Sequence, residues 1–388
     1  MRILVAPDKF KNSLGGREVA DCIAAGLRDV LPDAIIETIP VADGGEGTAE
    51  VIRDACGGDW VTCEAHDALG RAIGARYVWW HDRRLAVIEM SEAAGLRRIA
   101  PLERDPSRAT THGVGEMMLD AAERGAREII VGLGGSATND GGFGMARALG
   151  FRFYGAAGHE LERPNELVDL AKILPSPVEA AVSAAKRAAP EQPTRLPLQT
   201  RIIAATDVRN PLLGERGATR TFGPQKGAAP ALLEVLEKAL ARLADVVVRD
   251  LGCDSREAVG AGAAGGLGFG LMSFCGATIR PGFDLVAEVL NLEAAIQRAD
   301  VVISGEGSLD DQTLEGKAPA GVARLARKMG KRVYAIVGCA TENPAVLQVF
   351  DGVYALASPS ITRDEAMSRT QELLREQARE LGRLFSCS

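Results

Sequence analysis

The chain begins with a short apolar run, Arg2–Ala6, followed by a stretch, Arg17–Val30, in which Val19, Ile23 and Leu27 recur every fourth residue. That period puts the three side chains on one face of a helix. A second apolar run, Ala34–Asp43, predicts a strand, and Glu46–Ala55 returns to helical spacing. The same grammar resumes near the C-terminus. VVISG (Val301–Gly305), RVYAIVG (Arg332–Gly338) and GVYALAS (Gly352–Ser358) predict strands, with helical sequence over Ala318–Met329 and after Arg363. Strands alternating with amphipathic helices predict a parallel sheet covered on both faces. Two such strands at the start and three at the end predict one doubly wound α/β domain, residues 1–60 and 285–388, interrupted by a large insertion, residues 61–284.

The insertion reads differently. ARYVWWHDRRLAVIEM places apolar runs on either side of His81-Asp82-Arg83, the pattern of a hairpin. EIIVGLGG is a buried strand entering a glycine-rich turn, and RIIAATD (Arg201–Asp207) is another strand. Between them Pro175, Pro177, Pro190, Pro193 and Pro197 mark a long surface excursion. In an open parallel sheet ligands bind beyond the carboxyl ends of the strands, where the strand order reverses. For an order of 2-1-3-4-5 that point lies between the first strand and VVISG. Polar clusters with glycine support follow the relevant strands: Asp8-Lys9-Phe10-Lys11, then Asp43-Gly44-Gly45-Glu46-Gly47-Thr48, then Gly305-Glu306-Gly307 with Asp310.

Composition removes several classes of function. At 46% hydrophobic and 25% charged, the 388 residues are those of an ordinary globular protein. A net charge of −7, with no block of Lys or Arg, argues against a nucleic-acid partner. The segment Val259–Ile279 is uncharged and long enough to span a bilayer, but it is dense in glycine and is expected to be buried rather than in a membrane. The opening MRILVAPDKF carries no leader pattern, and the seven cysteines include no Cys-x-x-Cys pair. These features point to the reducing cytosol, with neither a disulfide framework nor a structural zinc site.

The candidate chemistry lies in the turns. Gly134, Gly135, Ser136, Ala137 and Thr138 precede a helix expected from about Gly142, so their backbone N–H groups could cradle a phosphate. Ser136, Asn139 and Asp140 are equally good helix caps, and both readings stand at this point. GAGAAG (Gly260–Gly265) matches a dinucleotide fingerprint literally, with Asp284 downstream for a ribose, but the preceding CDSREAV is no strand. Gly316-Lys317 lacks the upstream glycine and the following Ser or Thr of a Walker loop. Asp43, Glu46, Asp140, Asp207, Glu306 and Asp310 sit at strand ends among glycines, where carboxylates hold Mg²⁺, accept a proton from a hydroxyl, or simply cap turns. With Lys9, Lys11, Lys226 and Lys317 they form the inventory that phosphoryl transfer requires.

Nine motifs, in order along nearly the whole chain, resemble the bacterial type-1 glycerate kinase family. They are APDKFKNSL, VADGGEGT, IEMSEAAGL, ATTHGVGE, GLGGSATNDGGFGMARALG, ATDVRNPLLG, FGPQKGA, GAGAAGGLGFGL and SGEGSLDDQTLEGKAP. The resemblance implies a flavodoxin-like domain interrupted by an inserted α/β domain of restriction-enzyme-like fold, with the active site in the cleft between them. It also implies ATP- and Mg²⁺-dependent phosphorylation of D-glycerate, typically to 2-phosphoglycerate. On that reading Asp8, Lys11, Asp207 and Asp310 are catalytic, with Asp207 or Asp310 taking the hydroxyl proton and Lys11 meeting the glycerate carboxylate. Lys9, Lys11, Ser13, Asp43, Gly44, Gly45, Glu46, Thr111 and Asp207 bind substrate. Gly134, Gly135, Ser136, Thr138, Asn139, Asp140, Lys226, Gly305, Glu306 and Gly307 bind nucleotide, and Asp140, Glu306 and Asp310 hold the metal. The chain departs from the family pattern at Asn12, where glycine is usual, and at Gly15, where serine is common. A homodimer is one assembly the sequence allows. Two rival readings stand beside this one: a GHMP-type small-molecule kinase, which shares a Gly-Leu-Gly-x-Ser-Ala loop, and a non-catalytic nucleotide- or metabolite-binding α/β protein.

Overall fold

A computed structural model describes residues 1–11, 13–175, 200–310 and 317–386. The expected Pro-rich excursion, apart from its edges, and Asn12 lie outside them. The chain forms two compact units, Met1–Gly57 with Pro281–Ser388, and Gly58–Arg280.

In the discontinuous unit five strands form one sheet in the order Gly352–Ala355, Arg332–Val337, Val301–Ser304, Arg2–Val5, Ile35–Thr38. Every pairing is parallel. Ile3 lies opposite Ile36 on one side and Val301 on the other. Strands buried on both faces need the unbroken apolar runs seen here, and Ile3, Leu4, Val5, Val301, Val302 and Ile303 are all buried. The helix Gly16–Val30 buries Val19, Ile23 and Leu27, as their spacing requires. Its Gly26 faces the C-terminal helix Thr370–Ser386 so closely that a Cβ there would lie 2.4 Å from the Arg375 carbonyl oxygen. The second strand ends at Thr38, earlier than the apolar run suggested. The chain beyond it stays bonded to its neighbour, with Ile39 N–H donating to Val5 O and Val41 N–H to Pro7 O, both at 2.9 Å.

The other unit carries a six-stranded sheet in the order Thr278–Arg280, Arg201–Ala205, Glu128–Gly132, Leu85–Glu89, Ala72–Trp80, Asp59–His66. The first four run parallel and the last two form an antiparallel meander. The expected hairpin at His81–Arg83 joins Ala72–Trp80 to Leu85–Glu89, closed by Arg84 N–H to His81 O. The strand Asp59–His66, with its mixed exposed and buried positions, went unread in the sequence. The expected limits of the insertion, 61–284, differ from this unit at both ends. Asp59 and Trp60 pair with Trp79 and Val78. At the other end, the helix Gly282–Val289 packs in the first unit, where a Cβ on Gly282 would lie 2.0 Å from Asp43 O. The uncharged Val259–Ile279 segment holds the buried helix Ala263–Cys275, and among the described residues no helix is long and apolar enough to cross a membrane.

Gly26→Ala gains helix propensity worth up to about 1 kcal/mol, but forces apart two helices that have no free volume. A net loss of about 1–3 kcal/mol is expected, read as a lower denaturant midpoint at unchanged slope.

Candidate active site

Three loops leave the carboxyl edge of the five-stranded sheet together. Asp8 N–H donates to Gly305 O at 2.8 Å, joining the first loop to the third, and Lys9 N–H donates to Asp8 Oδ1 at 2.6 Å. Asp43 Oδ1 accepts Gly45 N–H at 3.0 Å, shaping the second loop. Lys9 Nζ donates to Glu46 O and lies 3.7 Å from Glu46 Oε2. Burial, together with the Asp43 and Glu306 carboxylates, pushes the Asp8 carboxyl up to about 8, against the pull of Lys9. Lys317 pairs with Asp310 at 2.9 Å and with the buried Glu306 at 3.6 Å. Burial works against its charge, but these carboxylates hold its ammonium above the ordinary lysine value. Lys11 is exposed, its backbone N 3.4 Å from where a Gly307 Cβ would lie. Asp8, Lys9, Asp43, Glu46, Gly305, Glu306 and Asp310 are therefore gathered on one edge. Ser13 is drawn elsewhere, its hydroxyl donating to Thr370 Oγ1 at 2.7 Å.

A second constellation lies on the carboxyl edge of the six-stranded sheet. Glu89, Gly132 and Ala205 are in register on adjacent parallel strands, so Ser91, Gly134–Ser136 and the half-buried Asp207 follow at the same edge. The glycine-rich turn is pinned from both sides. Leu96 N–H donates to Gly135 O at 2.9 Å and Ala137 N–H to Ala94 O at 2.8 Å. Gly135 is exposed and Gly134 half-buried, whereas Ser136 through Asp140 are buried. Below the turn, Glu92 is buried and paired with Arg76, Arg97 and Arg98. The sequence did not single out this cluster, because its members are ordinary surface residue types.

Several residues expected in the site are buried here. Asp140 is fully buried, and its oxygens accept from Thr111 N–H, Thr111 Oγ1, Gly142 N–H and Gly144 N–H at 2.8–3.1 Å. Burial raises its carboxyl above the usual range, and these donors pull the other way. A carboxylate that accepts four hydrogen bonds in this way orders the loop. Thr111, expected to bind substrate, is buried with its hydroxyl between Asp140 and the Met145 N–H it accepts from. Lys226 was expected to meet nucleotide as a cation. It is buried, donates to Thr138 O at 2.6 Å, and burial lowers its ammonium to about 7 while Asp140 opposes the fall. Asn139 Nδ2 donates to Thr219 Oγ1, and its Oδ1 and Thr138 Oγ1 are buried without a partner.

GAGAAG also acquires a physical explanation. Ala264, Gly265 and Gly266 all have left-handed φ, and a Cβ on Gly265 would lie 1.9 Å from Thr138 O. The glycines let this segment lie directly on the turn, a packing role rather than a dinucleotide one.

The fold is a mixed α/β one built on parallel sheets, and comparison with known proteins places it more narrowly. The description "Glycerate kinase family" matches residues 3–386. Glycerate kinase of Halalkalibacterium halodurans is 39% identical over 98% of this chain and 97% of its own. Glycerate 2-kinase of Escherichia coli K12 is 40% identical over 94% of this chain and 93% of its own. A crystal structure of a protein assigned as glycerate kinase 2 from Salmonella typhimurium LT2 superposes with a TM-score of 0.83 at 40% identity, covering 100% of this chain and 98% of that one. The chain belongs to the glycerate kinase family.

Two outcomes follow from this geometry. Asp140→Ala orphans four donors in a closed interior and is expected to cost on the order of 3–5 kcal/mol, measured by urea unfolding. Asp8 is raised in the folded chain, so the stability its proton confers is complete below the ordinary carboxylate value and is lost as pH rises through about 8. Asp8→Asn should therefore melt above the wild type at pH values above this, with the gap narrowing steadily towards acid pH.

Proposed function

We propose that the chain is an ATP- and Mg²⁺-dependent glycerate kinase, transferring a phosphoryl group to a hydroxyl of D-glycerate, with 2-phosphoglycerate the favoured product. The observation that carries this reading is the set of strand-end carboxylates and lysines at the edge of the parallel sheet, in a chain belonging to this family. The discontinuous unit is read as flavodoxin-like, on the strength of its all-parallel 2-1-3-4-5 strand order. The other unit is read as the inserted α/β domain of the family, and the cytosol as the location of the reaction. A GHMP-type kinase is disfavoured by the parallel β-α-β opening, since those proteins need a β-rich N-terminal half.

Asp8 is the carboxyl best suited to accept the hydroxyl proton, because its pKa of about 8 lies near neutral working pH. Asp310 is less suited, being held in an ion pair with Lys317. A loose transition state asks little of a base and much of positioning. Lys11, exposed beside Gly307, is free to swing to the glycerate carboxylate, while Lys9 and Lys317 offset charge on the transferring group. Gly134 and Gly135, at the accessible corner of the second constellation, present backbone to an anion, and Asp207 stands on the same edge.

Among the described residues no three His, Cys, Asp or Glu side chains form a ready metal cage. That suits Mg²⁺, which typically takes one or two carboxylates and completes its shell with phosphate oxygens and water. Glu306 and Asp310 are the residues that would hold it, and when bound it neutralises phosphate charge.

ADP release measured by a coupled assay should appear with D-glycerate and not with L-glycerate or sugars, and phosphorus NMR should show 2-phosphoglycerate. Silence with D-glycerate alongside turnover of another alcohol overturns the reading. Asp8→Asn should lower kcat by about 10²–10⁴-fold in a chain that remains folded.

A further inference from the structure

A cavity of about 320 Å³ opens beside the carboxylate cluster, within the discontinuous unit. It lies between the first turn of Gly16–Val30, the segment Thr38–Ala42 and one face of the helix Thr48–Cys56. We infer that this cavity receives the nucleoside end of the phosphoryl donor, its purine base and ribose. The inference rests on the kinase reading above and moves the nucleoside away from the Gly134–Asp140 turn, where the sequence pattern placed nucleotide contacts.

Three observations carry it. The first is size: the volume falls in the usual range of about 300–1,000 Å³ for small-molecule pockets, and a three-carbon acid would leave most of it empty. The second is the wall. Ile39, Pro40, Val41, Val51 and Leu290 give an apolar surface suited to a flat aromatic ring, and disfavour a carboxylate that would lose its water there. The third is charge. Glu18, Glu50, Asp54 and Asp8 line the cavity together with Arg17 and Lys9. An acidic lining repels a triphosphate or glycerate but accepts hydrogen bonds from sugar hydroxyls, which are donors. Glu18 already accepts Gly15 N–H at 3.0 Å and Asp54 is paired with Arg53, which makes Glu50 the first candidate for the ribose. Asp8 and Lys9 belong both to this lining and to the carboxylate cluster, so a nucleoside seated here directs its phosphates towards the reacting groups.

The test uses the full chain and ADP alone, by calorimetry, followed by steady-state kinetics. Ala55 lines the cavity from an exposed helix position, so Ala55→Trp fills the pocket without entering the core. ADP affinity should fall at least about tenfold, equivalent to 1.4 kcal/mol, with KM for D-glycerate unchanged within about twofold. Glu50→Gln, also at an exposed position, should erase the preference for ADP over its 2′-deoxy analogue. Circular dichroism and the retained glycerate KM report on folding. ADP binding by Ala55→Trp equal to wild type, or a rise in glycerate KM alone, overturns the pocket assignment while leaving the kinase reading intact. A wild-type chain that neither binds ADP nor turns over D-glycerate overturns the kinase reading itself.

Discussion

Asp140 is a carboxylate with no exposed surface, and the glycine-rich turn of the six-stranded unit takes its shape from it. It holds the start of the helix His112–Glu123 through Thr111 and the start of Phe143–Ala148 through Gly142 and Gly144. Burying such a group without donors would cost several kcal/mol, so every neighbouring amide has to be in place before the arrangement is stable. The left-handed Gly265–Gly266 backbone lies against the same turn, where any side chain would collide. What emerges at the surface is only the Gly134–Gly135 corner, a rigid piece of backbone on a closed polar interior.

The edge of the five-stranded sheet is organised in the opposite sense. Burial and the carboxylates of Asp43 and Glu306 raise the Asp8 carboxyl, and the ammonium of Lys317 stands against Glu306 and Asp310. Crowded carboxylates of this kind lower stability and persist where a site needs them for cations or for proton transfer. One unit thus spends its buried charge on rigidity and the other leaves its charge where a ligand can answer it.

Much of this was legible along the chain. The strands of the five-stranded sheet and the helix Gly16–Val30 followed from apolar period, because a strand buried on both faces cannot tolerate polar residues and an amphipathic helix cannot hide its repeat. The acids and lysines at strand ends were legible because glycine and charge seldom alternate in cores. The burial of Lys226 and Thr111 was not legible, for a related reason. Residue type reveals that a side chain can carry charge or donate a hydrogen bond, but its solvent exposure depends on chain segments distant in sequence. The cavity beside Asp8 was invisible, since Ile39, Val51 and Leu290 look like core residues until the three segments are brought together.

The sequence by itself determined the parallel architecture of the first unit and the chemical inventory of its edge, because both depend on short-range pattern. Tertiary structure alone decided which of those groups are ligands-in-waiting and which are structural. Asp140 and Asp8 have the same side chain beside similar turns. Four converging donors occupy the first, whereas burial and neighbouring carboxylates push the second up, and only the folded chain sets those surroundings.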